Sequence, residues 1–279
     1  MFDQKKYQEI VDSLKHNKFS NITFIIGPGV SVPAGVPDFR ALDETFSPIL
    51  LKYGIEDPLE LFELNSFIED PQPFYEFCQL FDIDMAKPTK THLFMGFLYQ
   101  KNIIKKIFTQ NIDALELKSG IPEDIIVFAH GRVNEACCPK CQTPVDLFVL
   151  KNEYIMKDKI KYCEKCNTPV KPKVIFYGES LPETFYTNFL SIQETDLCFI
   201  LGNDLGIAPF NTLPDKIPDN VWKVVINDEK IEGFSFDDPN EHDLFLKGEP
   251  DKMIEKIVKD VGWEAEFQKY CQQIMAVYG

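Results

Sequence analysis

Short apolar, β-branched runs recur along the chain at 22–26, 103–108, 125–128, 173–177, 197–201 and 221–226. Each is strand-sized, and most of the intervals between them are long enough for a helix. Strands alternating with helices predict an α/β fold on a parallel sheet. Two segments break the rhythm. Residues 42–88 are aromatic-rich and punctuated by Pro48, Pro58, Pro71 and Pro73, which reads as short helices inserted into the frame. Residues 136–171 hold paired cysteines and little apolar content, too small a segment to fold on a core of its own. The N-terminal stretch is amphipathic. Near the C-terminus, Met253, Ile254, Ile257, Val258 and Val261 mark one face of a helix that begins at Pro250. The expected division is therefore a frame of 1–41, 89–135 and 172–279, a helical insertion over 42–88 and a metal-binding module over 136–171.

A length of 279 residues suits one large domain with a smaller module, and 44% hydrophobic against 26% charged residues is ordinary globular usage. Charge changes the picture more. With 29 lysines and arginines against 44 acidic residues the net charge is −15, which disfavours direct nucleic-acid binding. An acidic surface attracts cationic partners such as lysine-rich tails; solubility alone accounts for it equally well. The longest apolar runs fall far below the roughly 18 residues that span a bilayer, so no membrane partner is expected. Met1-Phe2 offers no myristoylation signal, and the first residues lack an apolar signal core. A cytoplasmic protein is expected, since no basic nuclear-import cluster is visible.

Four constellations carry candidate chemistry. First, the strand at 22–26 runs into Gly27-Pro28-Gly29-Val30-Ser31-Val32-Pro33-Ala34-Gly35. A glycine-rich turn between strand and helix brings backbone amides to a pyrophosphate, and a tight turn with no ligand is the competing reading. Second, Cys138-x-x-Cys141 and, 22 positions on, Cys163-x-x-Cys166 supply four thiolates on two knuckles, the arrangement of structural zinc. A redox pair is the competitor there, and Cys137 competes with Cys138 but lacks the two-residue spacing to Cys141. Third, Thr109-Gln110-Asn111-Ile112-Asp113 follows a strand end, where open α/β sheets bind ligands and where a helix N-cap is equally natural. Fourth, His130 follows the strand at 125–128 between Ala129 and Gly131; it titrates near neutrality, as a general base should.

In this order the four resemble the sirtuins, the NAD-dependent protein deacylases, over about residues 18–263. The resemblance includes GPGVSVPAGVPDFR at 27–40, PTKTH at 88–92, TQNIDALE at 109–116, HG at 130–131, KPKVIFYGESLP at 171–182, LGNDL at 201–205, PF at 209–210, INDE at 226–229 and KGEP before the last helices. Spacing and insertion look most like the eukaryotic deacetylase class that includes cytosolic members. The resemblance implies a Rossmann-like sheet, NAD as co-substrate, one structural zinc per chain on Cys138, Cys141, Cys163 and Cys166, and acetyl-lysine proteins or peptides as partners.

It also implies roles residue by residue. Gly27, Pro28, Gly29, Val30, Ser31 and Val32 match the loop around the NAD phosphates. Asp38, Phe39 and Arg40 match a segment closing over ribose and nicotinamide. Gln110, Asn111, Ile112 and Asp113 match the nicotinamide-ribose site, with Asn111 and Asp113 counted as catalytic beside the general base, His130. Gly202, Asn203 and Asp204 match a cofactor-facing turn, Asn227, Asp228 and Glu229 the adenine-ribose site, and Pro250 the neighbourhood of the adenine. Val174 and Phe176 match the wall of the acyl-lysine tunnel.

Three departures stand out. Sirtuins usually carry alanine where Pro28 removes a backbone N–H, and threonine-serine where this chain has Asn203-Asp204. Where some members bind acidic acyl groups with tyrosine and arginine, Thr45, Phe46 and Ile49 stand here, so acetyl or a longer apolar acyl group is expected over succinyl. A non-catalytic NAD-sensing or acyl-lysine-binding module and a protein mono-ADP-ribosyltransferase are the alternatives; His130, Asn111 and Asp113 favour the deacetylase.

Overall fold

The computed structural model describes residues 2–36, 47–80 and 85–278. Asp38, Phe39, Arg40, Thr45 and Phe46 lie outside them. Six strands form a parallel sheet in the order β3-β2-β1-β7-β8-β9: β1 Ile22–Ile26, β2 Ile104–Thr109, β3 Ile126–Phe128, β7 Leu197–Leu201, β8 Trp222–Asn227 and β9 Asp243–Lys247. The order reverses between β1 and β7, so the chain leaves these neighbours in opposite directions and opens a crevice at their carboxyl ends.

Strand periodicity decides what lies on each face. Ile22, Phe24 and Ile26 of β1 and Leu197, Phe199 and Leu201 of β7 pack under α1 (Gln4–Lys15), α5 (Lys90–Gln100), α9 (Pro250–Val261) and α10 (Glu264–Met275). The residues between them, Ile25, Cys198 and Ile200, face Phe185, Ile192, Phe210 and Leu213 on the other side. Proline opens α9, and Gly262 closes it at φ +86° by donating to the carbonyls of Val258 and Lys259, so the C-terminal helical stretch is two helices.

Two sequence expectations need correction. The run at 173–177 does not join the parallel sheet. Lys171–Val174 is β6, which pairs antiparallel with β4 (Gly131–Cys137), itself paired with β5 (Pro144–Val145), in a separate small sheet. Conversely β9 is an unexpected sixth strand, a short edge run framed by charges; Asp243, buried, takes Lys223 at 3.0 Å.

The insertion is helical as expected: α2 (Ser47–Tyr53), a 3₁₀ turn at Pro58–Phe62, α3 (Leu64–Glu69) and α4 (Gln72–Leu80). Its aromatic residues, Phe67, Phe74, Tyr75 and Phe77, share a core with Phe176, Val174 and the cysteine module, where Leu150 and Ile155 come from α7 (Leu147–Val149) and its continuation. Ile49 is buried in this same core. Among the described residues no helix is long and apolar enough to cross a membrane.

Candidate active site

Five loops leave the carboxyl ends of β1, β2, β3, β7 and β8 on one edge of the parallel sheet. The β1 and β7 loops touch backbone to backbone. Gly27 N–H donates to Leu201 O at 3.1 Å and Gly29 N–H to Gly202 O at 3.0 Å. A Cβ on Gly27 would lie 2.7 Å from Gly202 O, and one on Gly29 2.7 Å from the Gly202 Cα, so this approach requires glycine. The helix expected after this turn is absent from 27–36. Pro28 and Pro33 instead open two single 3₁₀ turns, Pro28–Val30 and Val32–Ala34. Val30 is buried beneath them and Val32 is exposed.

The β2 loop is not an N-cap. The next helix, α6 (Leu115–Lys118), begins six residues beyond Thr109 and is preceded by Ala114 at φ +58°. Thr109 Oγ1 accepts from Asn111 N–H at 3.0 Å, and Asn111 Nδ2 donates to Ser31 Oγ at 3.1 Å, which ties the loop to the β1 turn. Asp113 is buried and accepts from Leu115 N–H at 2.9 Å. Burial pushes its pKa up. Glu116 stands close by, and burial first, then the Asp113 charge, push its carboxyl up to about 8.

A cleft of about 240 Å³ opens beside these loops. It is lined by Pro28, Gln110, Ile112 and His130 on one side and by Val174, Phe176 and Leu181 on the other, with Leu59, Phe62, Ile207 and Ala208 also present. Half-buried His130 packs on Phe210, ring centroids 6.2 Å apart. Desolvation lowers its pKa below the ordinary histidine range, opposed by a hydrogen bond to the Gln110 backbone, so the imidazole is neutral at pH 7. Sequence reasoning missed Leu59 and Phe62, because an aromatic run in an insertion carries no sign of which ring faces a cleft. The contact is made by backbone: Tyr177 N–H donates to Phe62 O at 2.8 Å and Leu64 N–H to Tyr177 O at 2.9 Å.

A second cleft, of about 710 Å³, lies outside β7 and β8 and is lined by Asp204, Asn227, Asp228 and Glu229, with Asp215, Lys230 and Glu232. Asn203 is buried and accepts from Leu205 N–H at 2.8 Å; Asp204, exposed, accepts from Gly206 N–H at 3.0 Å. Asn227 Nδ2 donates to Asn203 O at 3.4 Å, joining the two strand ends. Pro250 is buried at the first turn of α9 and lines neither cleft.

This edge fits a dinucleotide. Gln110 Nε2, Asn111 Oδ1 and Asn203 Nδ2 are buried without a hydrogen-bond partner, and they sit at the ends of β2 and β7, the strands flanking β1. Three orphaned buried polar atoms are costly unless a ligand satisfies them, and Gln110 lines the cleft itself.

The four expected cysteines converge. Cys138 and Cys166 sulfurs lie 3.3 Å apart, and Cys141 lies 3.6 Å from both Cys163 and Cys166. A tetrahedral zinc with sulfur at about 2.3 Å needs thiolates about 3.8 Å apart, and these lie close to that. Both knuckles have one design. Cys138 N–H donates to Thr143 O and Cys163 N–H to Thr168 O, with Gln142 at φ +55° and Asn167 at φ +56° turning the chain. Thr143 holds the Cys141 thiol down to about 6. Cys137 stays outside the set, its sulfur directed at Gln142 Oε1.

The Sir2 family profile matches residues 27–209, more than half of the chain, and this span holds the glycine turn, the cysteine knuckles and His130. The chain belongs to the Sir2 family. It is 31% identical to the NAD-dependent protein deacetylase hst2 of Schizosaccharomyces pombe over 96% of this chain and 80% of that protein. It is 31% identical to the NAD-dependent protein deacetylase sirtuin-3 of Mus musculus, over 97% of this chain and 81% of that one, and 32% identical to hst2-1 of Emericella nidulans, over 98% and 74%.

Proposed function

We propose that this protein is an NAD-dependent protein-lysine deacetylase. The observation that carries it is a half-buried His130 lining the same cleft as Gln110, Pro28, Val174 and Phe176, with burial favouring its neutral form. One arm of the site meets the Rossmann-like crevice; the other is walled largely by apolar residues such as Val174, Phe176 and Leu181, which suits the aliphatic stem of a lysine. The relatives' names point the same way.

The division of labour is assigned on the resemblance, and the loops at the carboxyl edge of the sheet support it. The 27–32 turn and Gly202–Asp204 would hold the pyrophosphate side of NAD, and Asn227, Asp228 and Glu229 the adenosine side, with Pro250 nearby. Asp38, Phe39 and Arg40 are assigned to the ribose and nicotinamide side on the resemblance alone. When bound, NAD would supply a ribose carbon activated by its cationic nicotinamide leaving group and, beside it, a ribose hydroxyl to receive the acyl group; with one water consumed, the products are nicotinamide, free lysine and O-acetyl-ADP-ribose. Gln110, Asn111, Ile112 and Asp113 would orient that ribose, so that positioning replaces encounter. His130 would take the proton of a ribose hydroxyl at its free ring nitrogen. The apolar wall would exclude water from the acyl group, and with no cation among its described lining residues it suits acetyl or a longer apolar acyl chain.

We divide the chain into a cofactor frame (1–41, 89–135, 172–279), a helical insertion (42–88) and a zinc module (136–171), noting that β4 and β6 of the small sheet extend past both edges of that module. The partners are acetylated proteins, with neither nucleic acid nor membrane bound directly, as the net charge of −15 favours. Eight free cysteines suit a reducing compartment such as the cytoplasm. Incubating an acetyl-lysine peptide with the protein, with and without NAD, tests the central reading: acetyl loss that needs NAD supports it, and acetyl loss without NAD, or none, defeats it.

A further inference from the structure

An ion pair braces the wall of the cleft: Lys171 is buried within it, and Glu179, half-buried, lines the cleft itself. Lys171 opens β6 with its side chain almost wholly inaccessible, and its Nζ lies 2.8 Å from Glu179 Oε2. The chain doubles back between them: Glu179 N–H donates to Phe176 O at 2.9 Å, with Gly178 at φ +93° in the turn. The two charges then grip the backbone of the wall. Lys171 Nζ donates to Val174 O, and Glu179 Oε2 accepts from Phe176 N–H at 2.8 Å. The same ammonium sits 4.3 Å from the centre of the Phe176 ring.

The residue between them reaches the candidate base. Ile175 N–H donates to His130 O at 2.9 Å. Directly after His130, Gly131 at φ +71° lets β4 press on β6 so closely that a Cβ there would lie 2.0 Å from Lys173 O. The pair therefore fixes three consecutive wall residues, and through the middle one the backbone of His130. Taking two charges out of water costs more than packing alone requires, and replacement of such pairs by apolar residues is often neutral for stability. Geometry at the wall is what an apolar pair would not supply.

Resting on the deacetylase reading, we propose that Lys171 and Glu179 are positioning residues for the acyl-lysine arm of the site, holding Val174 to Phe176 and the His130 backbone in register while leaving the NAD arm untouched.

The test uses the full chain in three variants: Lys171→Met, Glu179→Gln and the two combined. Glutamine keeps an acceptor for Phe176 N–H, so Glu179→Gln stays measurable if Lys171→Met does not fold. For each, thermal midpoint, NAD affinity by calorimetry and KM for an acetyl-lysine peptide are measured. The expected result is a peptide KM raised about tenfold in each folded single variant, with NAD affinity within about twofold of wild type. The combined variant regains the thermal midpoint that the singles lose yet keeps the raised KM. If peptide KM is unchanged in folded variants, or recovers with stability in the combined one, the pair is structural only and the proposal is overturned. Wild-type protein that does not deacetylate would overturn the deacetylase reading itself, and the role of the pair with it.

Discussion

His130 leaves β3 on the rim of the cleft with burial favouring its neutral form. A base works when unprotonated, and a depressed pKa moves the loss of activity to lower pH. The acid limb of kcat/KM is accordingly expected below pH 6.5, and His130→Ala should lower kcat by about 10²- to 10⁴-fold with NAD affinity nearly unchanged. Steady-state rates across pH, with calorimetry of the variant, check both; near-normal turnover would remove His130 from the chemistry. Asp204 gives a second test at this scale. It shares its cleft with Asp215, Asp228, Glu229 and Glu232 against Lys230, which is itself paired with Asp237. A carboxylate about 4 Å from a phosphate costs about 1 kcal/mol even in bulk water, severalfold in affinity. Asp204→Ser is expected to tighten NAD by about that factor, with a smaller gain from Pro28→Ala. Equal or weaker binding in calorimetric titration would mean that Asp204 accepts from a ribose diol.

At the scale of elements, legibility tracked how much of the signal was local. The strands β1, β2, β3, β7 and β8 are short runs dominated by apolar, β-branched and aromatic residues and are plain in the sequence, as are the cysteine knuckles, whose spacing is itself the geometry. The run at 173–177 overlaps β6 only at Lys173 and Val174 and belongs to the small sheet, because a run carries no record of its partner and β4, which β6 pairs with, is only partly apolar. β9 is hidden between Asp243 and Lys247, and the site's Leu59 and Phe62 by a backbone contact about 115 residues distant in sequence. The knuckle module has little core apart from the residues it shares with the insertion and the wall of the cleft. Stripping zinc with a chelator is therefore expected to unfold it and abolish activity while the parallel sheet persists. Elemental analysis should find one zinc per chain, and a zinc-free protein with full activity would contradict this.

Across the whole molecule, one buried cluster joins the site to stability. His92, Asp113 and Glu116 have ligand atoms within 4.8 Å of one another, all fully enclosed, and neither Glu116 oxygen has a partner. Thr89 N–H at 3.3 Å and Thr89 Oγ1 at 2.8 Å both meet His92 Nδ1, and His92 Nε2 is buried without a hydrogen-bond partner. Burial raises the Glu116 pKa to about 8 in the folded chain, against an ordinary value of 4.5. Below pH 4.5 both states are protonated; as pH rises toward 8 the unfolded state has already lost its proton and folding must retain it, so this contribution to stability is lost over that window. Glu116→Gln cannot ionise. Its thermal midpoint is expected to gain on wild type steadily between pH 5 and 8, and a constant difference would show that Glu116 is ionised in the fold.

The parallel sheet, its switch point, the knuckles and the apolar wall converge on one reaction, and the most direct measurement is its stoichiometry. Protein, NAD and an acetyl-lysine peptide are mixed and all products followed by mass spectrometry. Free lysine peptide, nicotinamide and O-acetyl-ADP-ribose in equal amounts are predicted. Nicotinamide released with ADP-ribose attached to protein, or peptide and NAD both recovered intact, would contradict it.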